Sequence, residues 1–212
     1  MAEPRTARGR ERKAAIIGAA TALMYEHGVK ATSVDDVLAS SGCGKGQFYH
    51  YFSSKDDLVA DVLDFQLETV LAGVDEFRLD SWSGIRAWFD SLLAGQEQRG
   101  FGGCPVGALA IELSGSSPCM QRHVAEAFSR WENSLADAFG SMKKKELLEP
   151  KAQPALLAEA VLTAIQGGYL LSTARRNVRP MQTALAAAYT QLRALRAQAA
   201  PSESSAPSAP PR

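Results

Sequence analysis

The chain has 212 residues, 46% of them hydrophobic, and its 23 basic and 23 acidic side chains leave a formal net charge of +0. A charge balance of that kind excludes a protein that holds a polyanion by bulk attraction, so any nucleic-acid contact has to come from a local patch. The three cysteines are widely spaced with no C-x-x-C pair, which argues against a disulfide framework. No uninterrupted apolar run reaches the ~18 residues of a membrane span, and no signal-peptide core follows Arg5, Arg8, Arg10, Arg12 and Lys13. A cytoplasmic protein is expected.

Residues 1–9 are predicted to be a disordered basic arm. A helix follows over residues 10–27, where Ile16, Ile17, Ala20, Leu23 and Met24 recur at helical spacing and Gly28 suits the position past the end. Ser33 then stands before Val34, Val37 and Leu38, with Asp36 at the third helical position, a capping-box pattern. This first short helix stops near residues 40–42, and Gly42 can take the positive φ of a tight turn. Residues 45–52 are unusually aromatic, with Phe48, Tyr49, Tyr51 and Phe52 interleaved with Lys45, Gln47 and His50. Ser54 with Asp57 makes a second capping-box pattern and opens a long helix over residues 55–77. A short helix, a short turn and a second short helix rich in donors is the layout of a helix-turn-helix, whose second helix enters the DNA major groove.

Further along, residues 83–99 are amphipathic through Trp88, Phe89, Leu92 and Leu93, and a Gly-rich break spans residues 99–107. Residues 106–113 read as a short apolar helix. A loop over residues 114–118 places Pro118 at a first helical position, from which a helix runs to about residue 142. After a polar connection, residues 155–176 are apolar on most faces, and Pro180 starts a last helix to about residue 198. The Pro-, Ser- and Ala-rich tail, residues 199–212, is predicted to be disordered. Strand-type alternation is absent, so the expected class is all-α.

The stretch from Thr32 through Ser33-Val34-Asp35-Asp36-Val37, then Gly42-Cys43-Gly44-Lys45-Gly46-Gln47-Phe48-Tyr49-His50-Tyr51-Phe52, then Ser54-Lys55-Asp56-Asp57-Leu58, resembles the DNA-binding domain of the tetracycline-repressor (TetR) family of bacterial transcriptional regulators. It covers about the first quarter of the chain and is specific by combination. Cys43 departs from the small aliphatic residue usual there and should pack similarly. Gly103-Cys104-Pro105-Val106-Gly107-Ala108-Leu109-Ala110 resembles a segment of some subgroups. The resemblance implies a DNA-binding domain over residues 1–56 and an effector-binding and dimerisation domain over residues 57–198. It also implies a homodimer on a two-fold double-stranded DNA operator, phosphate contacts at Tyr49 and Lys55, and release by an unknown small-molecule effector. No cofactor, metal or membrane partner is expected.

On the second short helix Phe48, Tyr51 and Phe52 are expected to be structural. The expected DNA face consists of Lys45, Gln47, Tyr49 and His50, with Thr32, Ser33 and Lys55 beside them. Gln47 suits an adenine edge and Lys45 a guanine, and Gly44 and Gly46 allow close approach to the duplex. For a ligand pocket between helices the candidates are Trp88, Phe101, Cys104, Glu112, Phe128, Trp131, Gln166 and Tyr169. For a dimer face built as a four-helix bundle, as the resemblance implies, they are Ala160, Ala164, Gly167, Gly168 and Leu171. Rival readings are a regulator switched by oxidation of Cys104 or Cys119, each at a helix start where the dipole favours a thiolate, and a DNA-architectural protein without an effector. A zinc site from Cys104, Cys119 and His123 matches no strong ligand spacing. An enzyme is not expected, because His27, His50 and His123 have no nucleophile or carboxylate partner by motif.

Overall fold

The computed structural model describes residue 4 and residues 6–113 and 115–197. Among the described residues the elements are α1 (Ala7–His27), α2 (Val34–Ser41), α3 (Lys45–Tyr51), α4 (Lys55–Phe77), α5 (Trp82–Gln98), α6 (Pro105–Leu113), α7 (Pro118–Lys144), α8 (Pro154–Arg175) and α9 (Arg179–Ala194). No strand occurs among them; one isolated bridge, Leu148 with Arg196, ties the α7–α8 connection to the end of α9. The fold is all-α, as expected. The predicted tail, residues 199–212, lies outside the described residues.

The predicted basic arm is shorter than expected, because α1 begins at Ala7. Thr6 caps it, its hydroxyl accepting the Gly9 N–H at 3.1 Å. At its other end Gly28 closes the helix with φ 85°. Both halves of the box at Ser33 form: its Oγ accepts the Asp36 N–H at 3.1 Å, and the Asp36 carboxylate accepts the Ser33 N–H at 2.9 Å. At Ser54 only one half forms. Its Oγ accepts the Asp57 N–H, while the Asp57 carboxylate reaches one residue further, to the Ser53 N–H at 2.9 Å.

Helices α1, α2 and α3 bury Ile16, Ala20, Val37, Phe48 and Phe52 around the start of α4, which contributes Leu58, Val59, Val62 and Leu63. An ion pair, Lys13 Nζ to Asp61 at 2.6 Å, joins α1 to α4. The rest of α4 runs into the second body and packs on α5 and α7. There, Arg130 on α7 pairs with Glu68 on α4. At the carboxyl end of α4, a Cβ on Gly84 would fall inside the carbonyl oxygens of Phe77 and Arg78, so the first turn of α5 sits directly on backbone.

Helix α8 packs on both α7 and α9. By length and composition it is the one helix among the described residues long and apolar enough to cross a membrane. Counting uninterrupted apolar residues misses it, since Glu159, Thr163 and Gln166 break the run. Its apolar surplus has two destinations here. Leu157, Val161 and Ile165 are buried within the subunit, whereas Leu156, Leu170 and Leu171 are exposed.

Candidate DNA-binding face and ligand cavity

Helix α3 separates its aromatic residues by spacing alone. Phe48 and Phe52, four apart, are 0% exposed and anchor the helix, whereas Tyr49 is 58% exposed with its ring edge-on to Phe48. Tyr51 is half-buried, and Lys45, Gln47 and His50 are exposed beside Tyr49. Gly42 takes the left-handed turn at φ 65°, and Cys43 is buried in the core, as a small aliphatic residue would be.

Several residues of the expected face have local duties. Gln47 Oε1 accepts the Gly44 N–H at 3.1 Å, capping α3 from inside. A bidentate contact to adenine needs that oxygen and the amide nitrogen together, so it requires the cap to open. Lys45 Nζ lies 3.4 Å from the Asp35 carboxylate on α2. Lys55 Nζ donates to the Val29 carbonyl at 2.6 Å, tying the start of α4 to the turn after α1. Thr32 is only 2% exposed and donates its hydroxyl to the Gly28 carbonyl at 2.9 Å. The Ser33 hydroxyl and backbone N–H hold the Asp36 carboxyl below the usual carboxylate range.

In the second body a cavity of about 740 Å³ opens between α6, α7 and α8. Of the predicted pocket residues, Cys104, Phe128, Gln166 and Tyr169 line it. Trp88, Phe101, Trp131 and Glu112 are not part of its lining. Trp88 and Trp131 are buried in the core, their rings against Phe89 and Phe128 respectively. Phe101 sits in the left-handed turn after α5 at φ 64°. Sequence reasoning missed Gly103, Gly107, Ile111, Leu170 and Thr173 as lining residues. Gly107 carried a readable signal, being a helix-interior glycine: a Cβ there would run into Gln166 Oε1.

The Cys104 thiol is buried and accepts from the Gly107 N–H at 3.4 Å and Gln166 Nε2 at 3.5 Å. Burial pushes its pKa up, outweighing those hydrogen bonds, so Cys104 sits as a small buried hydrophobe and not as the thiolate of the rival reading. Cys119 is exposed. His123 turns to Asp64 at 3.2 Å, and no group of three potential metal ligands exists among the described residues.

The opposite side of α6 faces α1 and α4. Glu112 Oε2 accepts the Val29 N–H at 2.7 Å across a sequence separation of 83 residues. The Tyr25 ring on α1 lies where a Cβ on Gly102 would have to go, so the glycine strap before α6 rests on α1. A single short helix thus has the cavity on one side and the end of α1 on the other.

The predicted dimer residues divide. Gly167 and Leu171 are exposed on α8, and Ala160 and Ala164 are half-buried. Gly168 is buried instead: a Cβ there would meet Met181 Sδ at 2.5 Å, so this glycine serves the close α8–α9 approach within one subunit. Leu170, beside them on α8, is 58% exposed and also borders the cavity.

A helix-turn-helix carried at the amino end of an all-helical body with a cavity defines the class of DNA-binding transcriptional regulators. Residues 16–62 match the family described as "Bacterial regulatory proteins, tetR family", and residues 82–187 match "Transcriptional regulator LmrA/YxaF-like, C-terminal domain". The chain belongs to the TetR family of transcriptional regulators. It is 30% identical over 181 residues to an HTH-type transcriptional regulator of the lacX 3′ region of Lactococcus lactis subsp. lactis, covering 82% of this chain and 89% of the relative. It is 23% identical over 177 residues to the HTH-type transcriptional repressor DhaR of Mycobacterium sp. (strain GP1), covering 81% of this chain and 87% of that one. Its fold matches the crystal structure of a TetR transcriptional regulator from Chloroflexus aurantiacus J-10-FL with a TM-score of 0.75 at 21% identity, over 92% of this chain and 100% of that chain.

Proposed function

We propose that the protein is a homodimeric cytoplasmic repressor that leaves its double-stranded DNA operator when a small apolar or amphipathic effector fills the cavity between α6, α7 and α8. It acts by binding, without catalysis. Residues 1–56 serve DNA and residues 57–198 serve dimerisation and the effector. The observation that carries the reading is the position of α6, with the cavity on one side and Glu112 holding the Val29 N–H on the other. A ligand that displaces α6 acts directly on the end of α1, and it favours release only through its differential affinity for the displaced state. The repressor relative DhaR supports the sign of the response. The buried Cys104 thiol supports a ligand over oxidation as the signal.

On the DNA face, Tyr49 and His50 are exposed to approach phosphate or base edges, and Lys45 does so by leaving its exposed pairing with Asp35, with Gly44 and Gly46 permitting close contact. Thr32 positions the unit, and Lys55 both ties it to the Val29 carbonyl and offers its ammonium to phosphate. The exposed outer face of α8, with Gly167, Leu170 and Leu171, packs on its counterpart and on α9 in the second subunit. Two reading helices then meet two half-sites.

Selection of duplexes from a random pool by the purified full chain tests this. The expected product is an inverted repeat whose half-sites lie about one helical turn or a multiple apart. Enrichment of a single half-site, or of no sequence, overturns the proposal.

A further inference from the structure

The cavity has a polar edge, and the hydrogen bonds behind that edge decide where its protons point. Gln96 on α5 is 0% exposed. Its Oε1 accepts the Gly103 N–H at 3.3 Å, and its Nε2 donates to Thr173 Oγ1 at 3.3 Å. The orientation of the amide is forced, because a backbone N–H only donates. Thr173 is therefore an acceptor toward Gln96. Thr69, Thr183 and Thr190 spend their hydroxyl protons on the carbonyl four residues back, whereas Thr173 takes its bond from Gln96.

Tyr169 repeats the arrangement. Arg99 Nη2 donates to its hydroxyl at 3.4 Å, and a guanidinium has no acceptor to offer in return. Each hydroxyl is engaged as an acceptor from behind and keeps its own proton for the cavity. Burial, with the neighbouring Cys104 thiol adding to it, pushes the Tyr169 pKa up to about 12, so the phenol stays protonated and remains a donor. Tyr169 and Thr173 lie one turn apart on α8, near enough for one edge of a ligand to meet both.

The remaining walls point to the body of the ligand. Gly103, Gly107 and Ala108 give a flat wall on the α6 side, and Phe128 faces into the cavity from α7. Among the described residues, no Asp, Glu, Lys or Arg lines the cavity. The Arg99 guanidinium lies behind the Tyr169 hydroxyl and outside the lining, so an ionised ligand would lose hydration there with no opposite charge in direct contact to offset the loss.

We infer that the cavity selects an uncharged, flat, apolar ligand carrying a hydrogen-bond-acceptor oxygen, of the aryl-ketone type, with that oxygen held by Tyr169 and Thr173. The inference rests on reading this cavity as the effector site.

Fluorenone, fluorene and fluorene carboxylate form a matched series: a carbonyl, no oxygen, and a charge on one ring system. Titration of the full chain by calorimetry should show fluorenone binding about tenfold tighter than fluorene, the worth of one to two net hydrogen bonds. The carboxylate should not bind measurably. Combining Tyr169→Phe with Thr173→Val should bring fluorenone down to the affinity of fluorene. Fluorene should bind the double variant as it binds the parent, which also reports that the cavity is folded. Tyr169→Phe alone, which keeps the ring, should remove part of the difference. Equal binding of fluorenone and fluorene to the parent overturns the donor edge while leaving the cavity as a ligand site. Tighter binding of the carboxylate overturns the charge argument. Binding of none of the three overturns both this inference and the effector reading.

Discussion

Glu112→Ala tests the junction between the cavity and the DNA-binding helices. The Val29 N–H is nearly closed to solvent, its residue 8% exposed, and its partner is the Glu112 carboxylate at 2.7 Å. Hydrogen bonds to charged groups contribute about 1.5–3 kcal/mol, and stranding a buried donor costs about 1–3 kcal/mol. Residual water access at Val29 places the expected loss in the lower part of that range, about 1–2 kcal/mol. For a chain of this size that lowers the melting midpoint by about 2–8 °C. Glu112→Gln keeps an acceptor and loses only the charge, so it should cost about half as much or less. Urea and thermal melts of the three proteins at one fixed concentration measure both, since a dimer's midpoint depends on concentration. With fluorenone as the probe, Glu112→Ala should bind ligand as the parent does but release operator less completely, because α6 no longer grips α1. A loss below about 0.5 kcal/mol, the range of ordinary surface substitutions, would refute the claim that this bond anchors one body to the other.

Tyr49→Phe should weaken operator binding while leaving the melting midpoint unchanged; Lys55→Ala should lower both, because its ammonium also holds the Val29 carbonyl. Removing the Lys55 cation should also flatten the salt dependence by about one unit per subunit, whereas Tyr49→Phe removes a neutral donor and should leave the slope as it is; filter binding at several salt concentrations that finds no change of affinity in either variant rules out this placement of the DNA face. Leu170→Arg puts a charge on the exposed outer face of α8, so light scattering should fall from twice the 22.7 kDa chain mass toward the single chain, and an unchanged mass would move the dimer face elsewhere. Asp36 has a carboxyl depressed in the folded state by Ser33. Its contribution is therefore fully present above the unfolded carboxyl pKa of about 4 and lost as pH falls through the lower folded value. Ser33→Ala should flatten that acid limb in pH-dependent melts, and an identical limb in both proteins would remove the capping box from the account.

The local features were legible because local chemistry decides them. Ser33 with Asp36, Gly42 and Gly28 each do what their side chains, or lack of one, allow at a helix end, and the order of the helices follows from those stops. The start of α1 was not read. Thr6 is a good cap, but the Arg-rich stretch after it has no apolar period to show where a helix begins. The cavity was half legible. Aromatic residues attract attention as ligand contacts, yet Trp88 and Trp131 are large enough to fill space and so end in the core. Thr173 and Gly103 line the cavity and are joined by Gln96 reaching across from α5, a tertiary contact that no spacing within α8 announces. Gly168 was misassigned for the same reason. A small residue on an apolar helix permits close approach, but the periodicity does not say whether the approaching helix belongs to the same chain.

The seat of Gly84 on the Phe77 and Arg78 carbonyls has a mechanical consequence. With backbone against backbone there, the carboxyl end of α4 has no side chain that can yield, and it moves only with α5. Any tilt of α4 then swings about that clamped end. Its 23 residues make an arm of about 34 Å at about 1.5 Å per residue. A tilt of about 5° carries the Lys55 end sideways by about 3 Å, as far as a whole hydrogen bond is long. On the proposed reading, a small rearrangement around the cavity would be magnified where α3 is mounted, and the clamp at Gly84 would set the gain.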